Sequence, residues 1–275
     1  MNRVWGYILS GAVILAGSGV AVSACTHDDS TIFIRNVLAP QLVTNGQTCL
    51  FTSDPTQPYI SSGTFDVAFP TDGYAAEFLV GNQLVPQGDP NAPKTETSYV
   101  NIQGGTVRIT DAMGNELPGV PPFTRLTSAT LSPSAGTTVS YTPINLTIIG
   151  QNAIDALQTP TAMYPQGRLA HGRVRLVTYV RFFGKTLGGQ YVESNEFEFP
   201  VDLCHGCLIT FAPQDINPRC PAPNCQGTGM GGTLPVPCRR GQDALIDCSQ
   251  CQDILECYGA APPGTCGTDA GVGGG

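Results

Sequence analysis

Three observations predict an all-β chain. Glycine and proline are abundant, short apolar runs recur at strand length, and two Gly-Gly pairs sit where hairpins would close. There are 33 Gly and 23 Pro in 275 residues, which favours turns and short strands over long helices. Strand-like runs fall at 31–38, 49–51, 64–69, 74–80, 99–103, 106–110, 123–131, 139–141, 145–149, 173–183 and 190–203. Many short strands at this spacing point to a sandwich or a barrel, and an immunoglobulin-like β-sandwich is expected over 31–203.

The hairpins can be tested for register. Gly-Gly suits a two-residue turn. A turn on Gly188-Gly189 sets Val180 opposite Phe197, Thr178 opposite Phe199, Leu176 opposite Val201 and Val174 opposite Leu203. These pairs share one face of the pleat and make a core side. The other face sets Arg181 against Glu196, Tyr179 against Glu198 and Arg175 against Asp202. A one-residue slip scrambles both faces. A turn on Gly104-Gly105 pairs Ile102 with Val107 and Val100 with Ile109. Helix signals are weak: one or two turns at 152–157, and a short helix at 243–256 pinned by Cys248 and Cys251.

The N-terminus carries an address. Arg3 is the only charged side chain before His27, and residues 4–22 are apolar or small. Val22-Ser23-Ala24 then precedes Cys25. A secretory signal peptide has this layout. A single membrane-spanning helix is the alternative, but four glycines thin the run and no basic stop-transfer cluster follows. The small residues before Cys25 resemble the lipobox of bacterial lipoproteins. That resemblance implies cleavage before Cys25, a diacylglyceryl group on its thiol and a palmitate-type chain on its amine. Stable anchoring takes two such signals. Thr26 stands where an inner-membrane retention aspartate would, so the outer membrane is expected, with Cys25 in the bilayer. Residues 1–24 are thus a signal peptide and 25–30 a tether. The five residues 26–30 reach about 17 Å when extended.

Loss of Arg3 leaves 12 Lys and Arg against 21 Asp and Glu, a net charge of −9. A chain this acidic is a poor match for phosphate backbones, so nucleic acid is not an expected partner. Eleven cysteines less Cys25 leave ten: Cys49, Cys204, Cys207, Cys220, Cys225, Cys238, Cys248, Cys251, Cys257 and Cys266. An even count in an exported protein reads as a disulfide framework. Nine of the ten lie within 204–266, a loop-dominated segment that needs staples for want of a core. Cys49 must then pair into that cluster, with Cys204 or Cys207 the expected partner because the last strand runs into them. Residues 267–275 read as a glycine-rich flexible tail.

Catalytic motifs fail their context tests. Cys204-His205-Gly206-Cys207 follows a strand, whereas a redox pair opens a helix, so structural disulfides are expected. Cys204/Cys207 with Cys248/Cys251 have zinc-like spacing, but in an exported chain with six further cysteines disulfides take precedence. Gly227–Gly232 matches GxGxxG without a preceding strand. Gly184-Lys185-Thr186 lacks the first glycine of a P-loop and reads as a strand end. His27, His171 and His205 accompany no nucleophile motif. Asp111, Asn115 and Glu116 match no EF-hand loop and read as a turn. Arg173, Arg175 and Arg181 read as a solvated sheet face. No catalytic residue, metal or cofactor is therefore expected, and the chain is not expected to be an enzyme.

Several segments resemble a family of exported lipoproteins of myxobacteria. They are the lipobox, residues 34–42, FLVGNQLVPQG at 78–88, FGKTLGGQYVESNEFEFPVDLCHGC at 183–207 and PCRRGQDALIDCSQC at 237–251. The resemblance implies an address and no chemistry. The function expected is a non-enzymatic envelope lipoprotein that binds a protein partner or joins an assembly. An envelope redox protein using Cys204 and Cys207, and a cysteine-ligated metal module, are the alternatives.

Overall fold

The computed structural model describes residues 30–42, 49–69, 71–87, 96–161, 167–210 and 238–247. The first strands are β1 (Ile32–Leu38), β2 (Gln41–Leu42), β3 (Cys49–Leu50), β4 (Tyr59–Ile60), β5 (Gly63–Asp66) and β6 (Gly73–Asn82). Then come β7 (Val100–Asp111), β8 (Phe123–Leu131), β9 (Ser140–Gly150), helix α1 (Gln151–Gln158) and β10 (Val174–Thr186). β11 (Tyr191–Glu193), β12 (Phe197–Cys204), β13 (Ile209–Thr210) and β14 (Ile246–Asp247) complete the described elements. The protein is all-β, as its composition predicts. No helix among the described residues is long and apolar enough to cross a membrane.

One sheet has the order β4-β1-β6-β9, and a second has β5-β12-β10-β7-β8 with β11 paired to β10. Alternation builds their facing surfaces. Along β10, Val174, Leu176, Thr178, Val180 and Phe182 are buried, and Arg175 and Lys185 point to solvent. The sheets meet through aromatic rings. Phe78 of β6 lies 5.5 Å from Phe182 and 6.1 Å from Phe197, centroid to centroid. Tyr74 lies 6.0 Å from Phe65 and 6.3 Å from Phe199. Each buried large side chain contributes about 1.5–3 kcal/mol. Thr178, alone among these β10 residues in being polar, donates to the Phe199 carbonyl at 2.8 Å. Where β8 meets β9, threonines join the two sheets. Thr127 donates to Asn145 O at 3.2 Å, and Thr142 to Thr130 O at 3.4 Å.

The β10–β12 register is the expected one, from Val174–Leu203 to Val180–Phe197. Nearer the turn it differs by one residue. Lys185 faces Tyr191 and Phe183 faces Glu193, and Thr186 N donates to Gln190 O at 2.8 Å. The connection is therefore a three-residue loop, Leu187-Gly188-Gly189, and not a two-residue turn. The missing residue is restored at Ser194. Its hydroxyl accepts from Phe182 N at 2.9 Å, and its amide donates to Phe182 O at 2.8 Å. Arg181 consequently misses Glu196 and pairs with Glu193 at 3.7 Å. Arg108 takes Glu196 at 3.0 Å while stacking on the Tyr179 ring at 3.9 Å. Arg175–Asp202 forms as expected, at 2.7 Å.

The hairpin expected at Gly104-Gly105 does not form. Residues 99–103 and 106–110 merge into β7, which runs straight through the glycines. Val100 and Ile102 are buried before them, and Val107 and Ile109 after them, so the buried parity switches. A turn switches parity, and so does a bulge. Here the register shifts between Ile102 and Gly104 against β8, and between Phe183 and Gly184 against β10. Crowding demands glycine at this point. A Cβ on Gly104 would lie 2.7 Å from the Arg125 carbonyl oxygen, and one on Gly105 2.7 Å from Leu146 Cδ2.

The helix expected at 152–157 is α1, with Ala153, Ile154 and Leu157 buried against the core. The helix expected at 243–256 is corrected over its described part. Asp243 adopts a left-handed φ of 59°, and Ile246–Asp247 is β14, parallel to β13. Ile246 is 1% exposed, so burial and pairing with β13 outweigh local helix preference. Residues 248–256 lie outside the described residues.

Candidate functional site

Two structures occupy the β5 side of the second sheet. The first is the turn after β12. β5 runs parallel to β12 and places Asp66 beside Cys204. Cys204 is bonded to Cys207, with their Cα atoms 5.9 Å apart. Gly206 turns the chain between them at a φ of 71°, a conformation that favours glycine. The Asp66 side chain fills the concave side of this turn. Its Oδ1 accepts from Gly206 N at 2.7 Å and Ala68 N at 3.1 Å, and its Oδ2 accepts from Leu208 N at 2.8 Å. Asp66 has no exposed surface. Its donor oxygen and the two sulfurs all lie within 4.8 Å of one another. A cavity of about 550 Å³ opens beside the turn, lined by Cys204, His205, Cys207, Leu169, Gln158 and Arg173.

The second structure is a strap, residues 238–247, which covers the outer edge of β5. Asp66 N donates to Gly241 O at 2.9 Å, and Asp243 N donates to Thr64 O at 3.0 Å. Gln242 reaches across to the first sheet, donating to Gly73 O at 3.0 Å and accepting from Ala75 N at 3.2 Å. Arg239 pairs with Glu77 at 3.1 Å and donates to Ala75 O. Asp243 accepts from Thr64 N at 2.7 Å and from Tyr74 OH at 2.8 Å. Although Asp243 as a residue is exposed, its carboxyl group is enclosed. Burial raises its pKa above the usual carboxylate value, against the Thr64, Tyr74 and Arg239 contacts that lower it. Burial, then the Asp243 charge, lifts the Tyr74 phenol well above its ordinary value. A cleft of about 220 Å³ lies under the strap, walled by Leu38, Phe51, Ile60 and Ala76.

Cys49 corrects one expectation. It bonds Cys238, 189 residues away, and neither Cys204 nor Cys207. Those two lie close enough to bond each other, and the strap carries Cys238 to β3. Of the other cysteines, Cys25, Cys220, Cys225, Cys248, Cys251, Cys257 and Cys266 lie outside the described residues, as do His27 and Gly227–Gly232. Asp111 and Asn115 form a turn. Asp111 Oδ1 accepts from Met113 N at 2.9 Å and Asn115 N at 3.0 Å, and the Asn115 bonds hold its pKa below the usual value. Gly184-Lys185-Thr186 ends β10. His171 falls in a 3-10 turn, Leu169–His171.

Asp66, Gln242, Arg239 and Asp243 were not singled out in the sequence. For Asp66 a signal existed: an aspartate inside the apolar run Thr64–Phe69 is unusual in a strand and marks a buried, partnered carboxylate. No family model, no curated protein and no solved structure matches the chain.

Proposed function

We propose that this chain is a lipoprotein of the bacterial outer membrane, anchored through acylated Cys25, whose β-domain serves as a non-enzymatic binding or structural module. The observation that carries the reading is the pairing of disulfides with a lipobox. Cys49–Cys238 and Cys204–Cys207 are both bonded, and such bonds persist in oxidising compartments outside the cytosol. The segments similar to exported myxobacterial lipoproteins agree with that address. Strand order supports an immunoglobulin-like sandwich within this reading. β1, β6 and β9 take the places of strands A, B and E, and β7, β10 and β12 those of C, F and G. The partner is an envelope protein, with the bilayer held by the lipid.

The test is the intact mass of membrane-extracted protein, with thiol alkylation before and after reduction. A chain that begins at acylated Cys25 and takes up no alkylating agent until reduced is the expected result. A chain that retains residues 1–24, or thiols that alkylate without reduction, overturns the anchored, fully bridged module.

A further inference from the structure

We infer that reduction of the Cys204–Cys207 bridge creates a site for a divalent cation of the zinc class, ligated by Cys204, Cys207 and Asp66. The inference goes beyond the anchoring reading and does not rest on it. Its basis is the convergence of three donors: Asp66 at the end of β5, Cys204 at the end of the β12 strand paired to it, and Cys207 in the turn that follows. The Asp66 oxygen and the two sulfurs already lie within 4.8 Å of one another. Tetrahedral zinc with bonds of about 2.3 Å to sulfur and about 2.1 Å to oxygen needs donor separations of about 3.6–3.8 Å. Once the S–S bond opens, the sulfurs have only to separate to that spacing across a Cα distance of 5.9 Å.

The Asp66 carboxylate is prepared for this role. A carboxylate oxygen carries two lone pairs. Among the described residues, Oδ1 accepts from Gly206 N and Ala68 N, and Oδ2 from Leu208 N alone. Those bonds leave one lone pair on Oδ2 for a metal. The backbone donors also fix the carboxylate's orientation, as the outer partners of metal ligands do. Charge argues the same way. Two thiolates, one buried and one partly buried, beside a carboxylate with no exposed surface concentrate negative charge, and a divalent cation offsets it. The cavity of about 550 Å³ that both cysteines line supplies an entry path and room for a water as fourth ligand.

The chemistry balances with a dithiol as reductant. The dithiol closes its own disulfide and passes two electrons and two protons to the S–S bond, leaving thiols on Cys204 and Cys207. The cation then displaces both thiol protons to solvent. This donor set differs from the four-sulfur site that two CxxC pairs would build.

The experiment uses the full mature chain, reduced anaerobically with dithiothreitol, desalted and titrated with Co²⁺. The expected spectrum contains a tetrahedral thiolate–cobalt component that is absent from the oxidised chain and from the Cys204→Ser/Cys207→Ser variant. Asp66→Asn should weaken that component at least ~10-fold. X-ray absorption on the wild-type chain with one equivalent of Zn²⁺ needs no variant, and should show two sulfurs and two lighter atoms. The inference is overturned if the reduced chain binds no Co²⁺, if the serine variant matches wild type, if Asp66→Asn binds as tightly, or if the zinc shell holds four sulfurs.

Discussion

The space between the sheets and the strap along β5 are held by different physics. Between the sheets, Phe78, Phe182, Tyr74 and Phe199 bury apolar surface, and the attraction is non-directional. Along the strap, the Cys49–Cys238 disulfide, the Arg239–Glu77 ion pair and aimed hydrogen bonds, donated by Gln242 to Gly73 O and accepted by Asp243 from Tyr74 OH, hold the chain. Burial tolerates any residue of suitable size and pattern. Aimed bonds require particular atoms, here drawn from positions far apart in the sequence. The core is therefore a property of periodicity, and the strap a property of individual residues.

That contrast can be broken by experiment. Phe78→Ala removes a ring in contact with two others and should cost about 3–5 kcal/mol in urea unfolding. A loss under about 1 kcal/mol would mean that the sheets do not depend on this contact. Joint Cys49→Ser and Cys238→Ser substitution should cost about 2–5 kcal/mol. Amide exchange sharpens the comparison, because strap amides of Gln242 and Asp243 should lose protection while β7 and β10 keep theirs. Equal loss in both regions would make them one cooperative unit.

The smallest effects concern pH and have opposite signs. Burial raises the Asp243 pKa in the fold, so stability is greatest below the unfolded value and declines as pH rises toward the folded one. Arg175 holds Asp202 below its ordinary value through a hydrogen bond, so that contribution is present at neutral pH and lost as pH falls through the folded value. Urea midpoints from about pH 3 to 8 should show Asp243→Asn removing the decline on the rising side and Asp202→Asn removing the loss on the acid side. The same slope change in both variants would contradict the assignment.

Legibility in the sequence follows the same division. The pairs from Val174–Leu203 to Val180–Phe197 were readable because alternation over a long strand admits one register. The turn itself is not legible in that alternation, since Ser194 makes good the residue that the three-residue loop takes out. Gly104-Gly105 deceived for a related reason: bulge and turn leave the same parity signature, and only crowding against Arg125 and Leu146 tells them apart. Helix α1 is only weakly signalled in the sequence, as one or two turns at 152–157, because its stripe of Ala153, Ile154 and Leu157 is short. In the candidate site, Cys204 and Cys207 stood out by spacing, but Asp66 lies 138 positions before Cys204, and only the parallel β5–β12 pairing joins them. The Cys49–Cys238 bond was likewise set by where the strap passes and not by the order of cysteines.

The strap has a consequence beyond folding energy. An uncovered edge strand offers a ladder of amides and carbonyls to any neighbouring chain. Asp66 N and Thr64 O of β5 are occupied by the strap, and Cys49–Cys238 keeps it from drifting away. Wherever copies of this chain meet at high concentration, that bond acts as a safeguard against association, keeping each sheet from being continued by its neighbour.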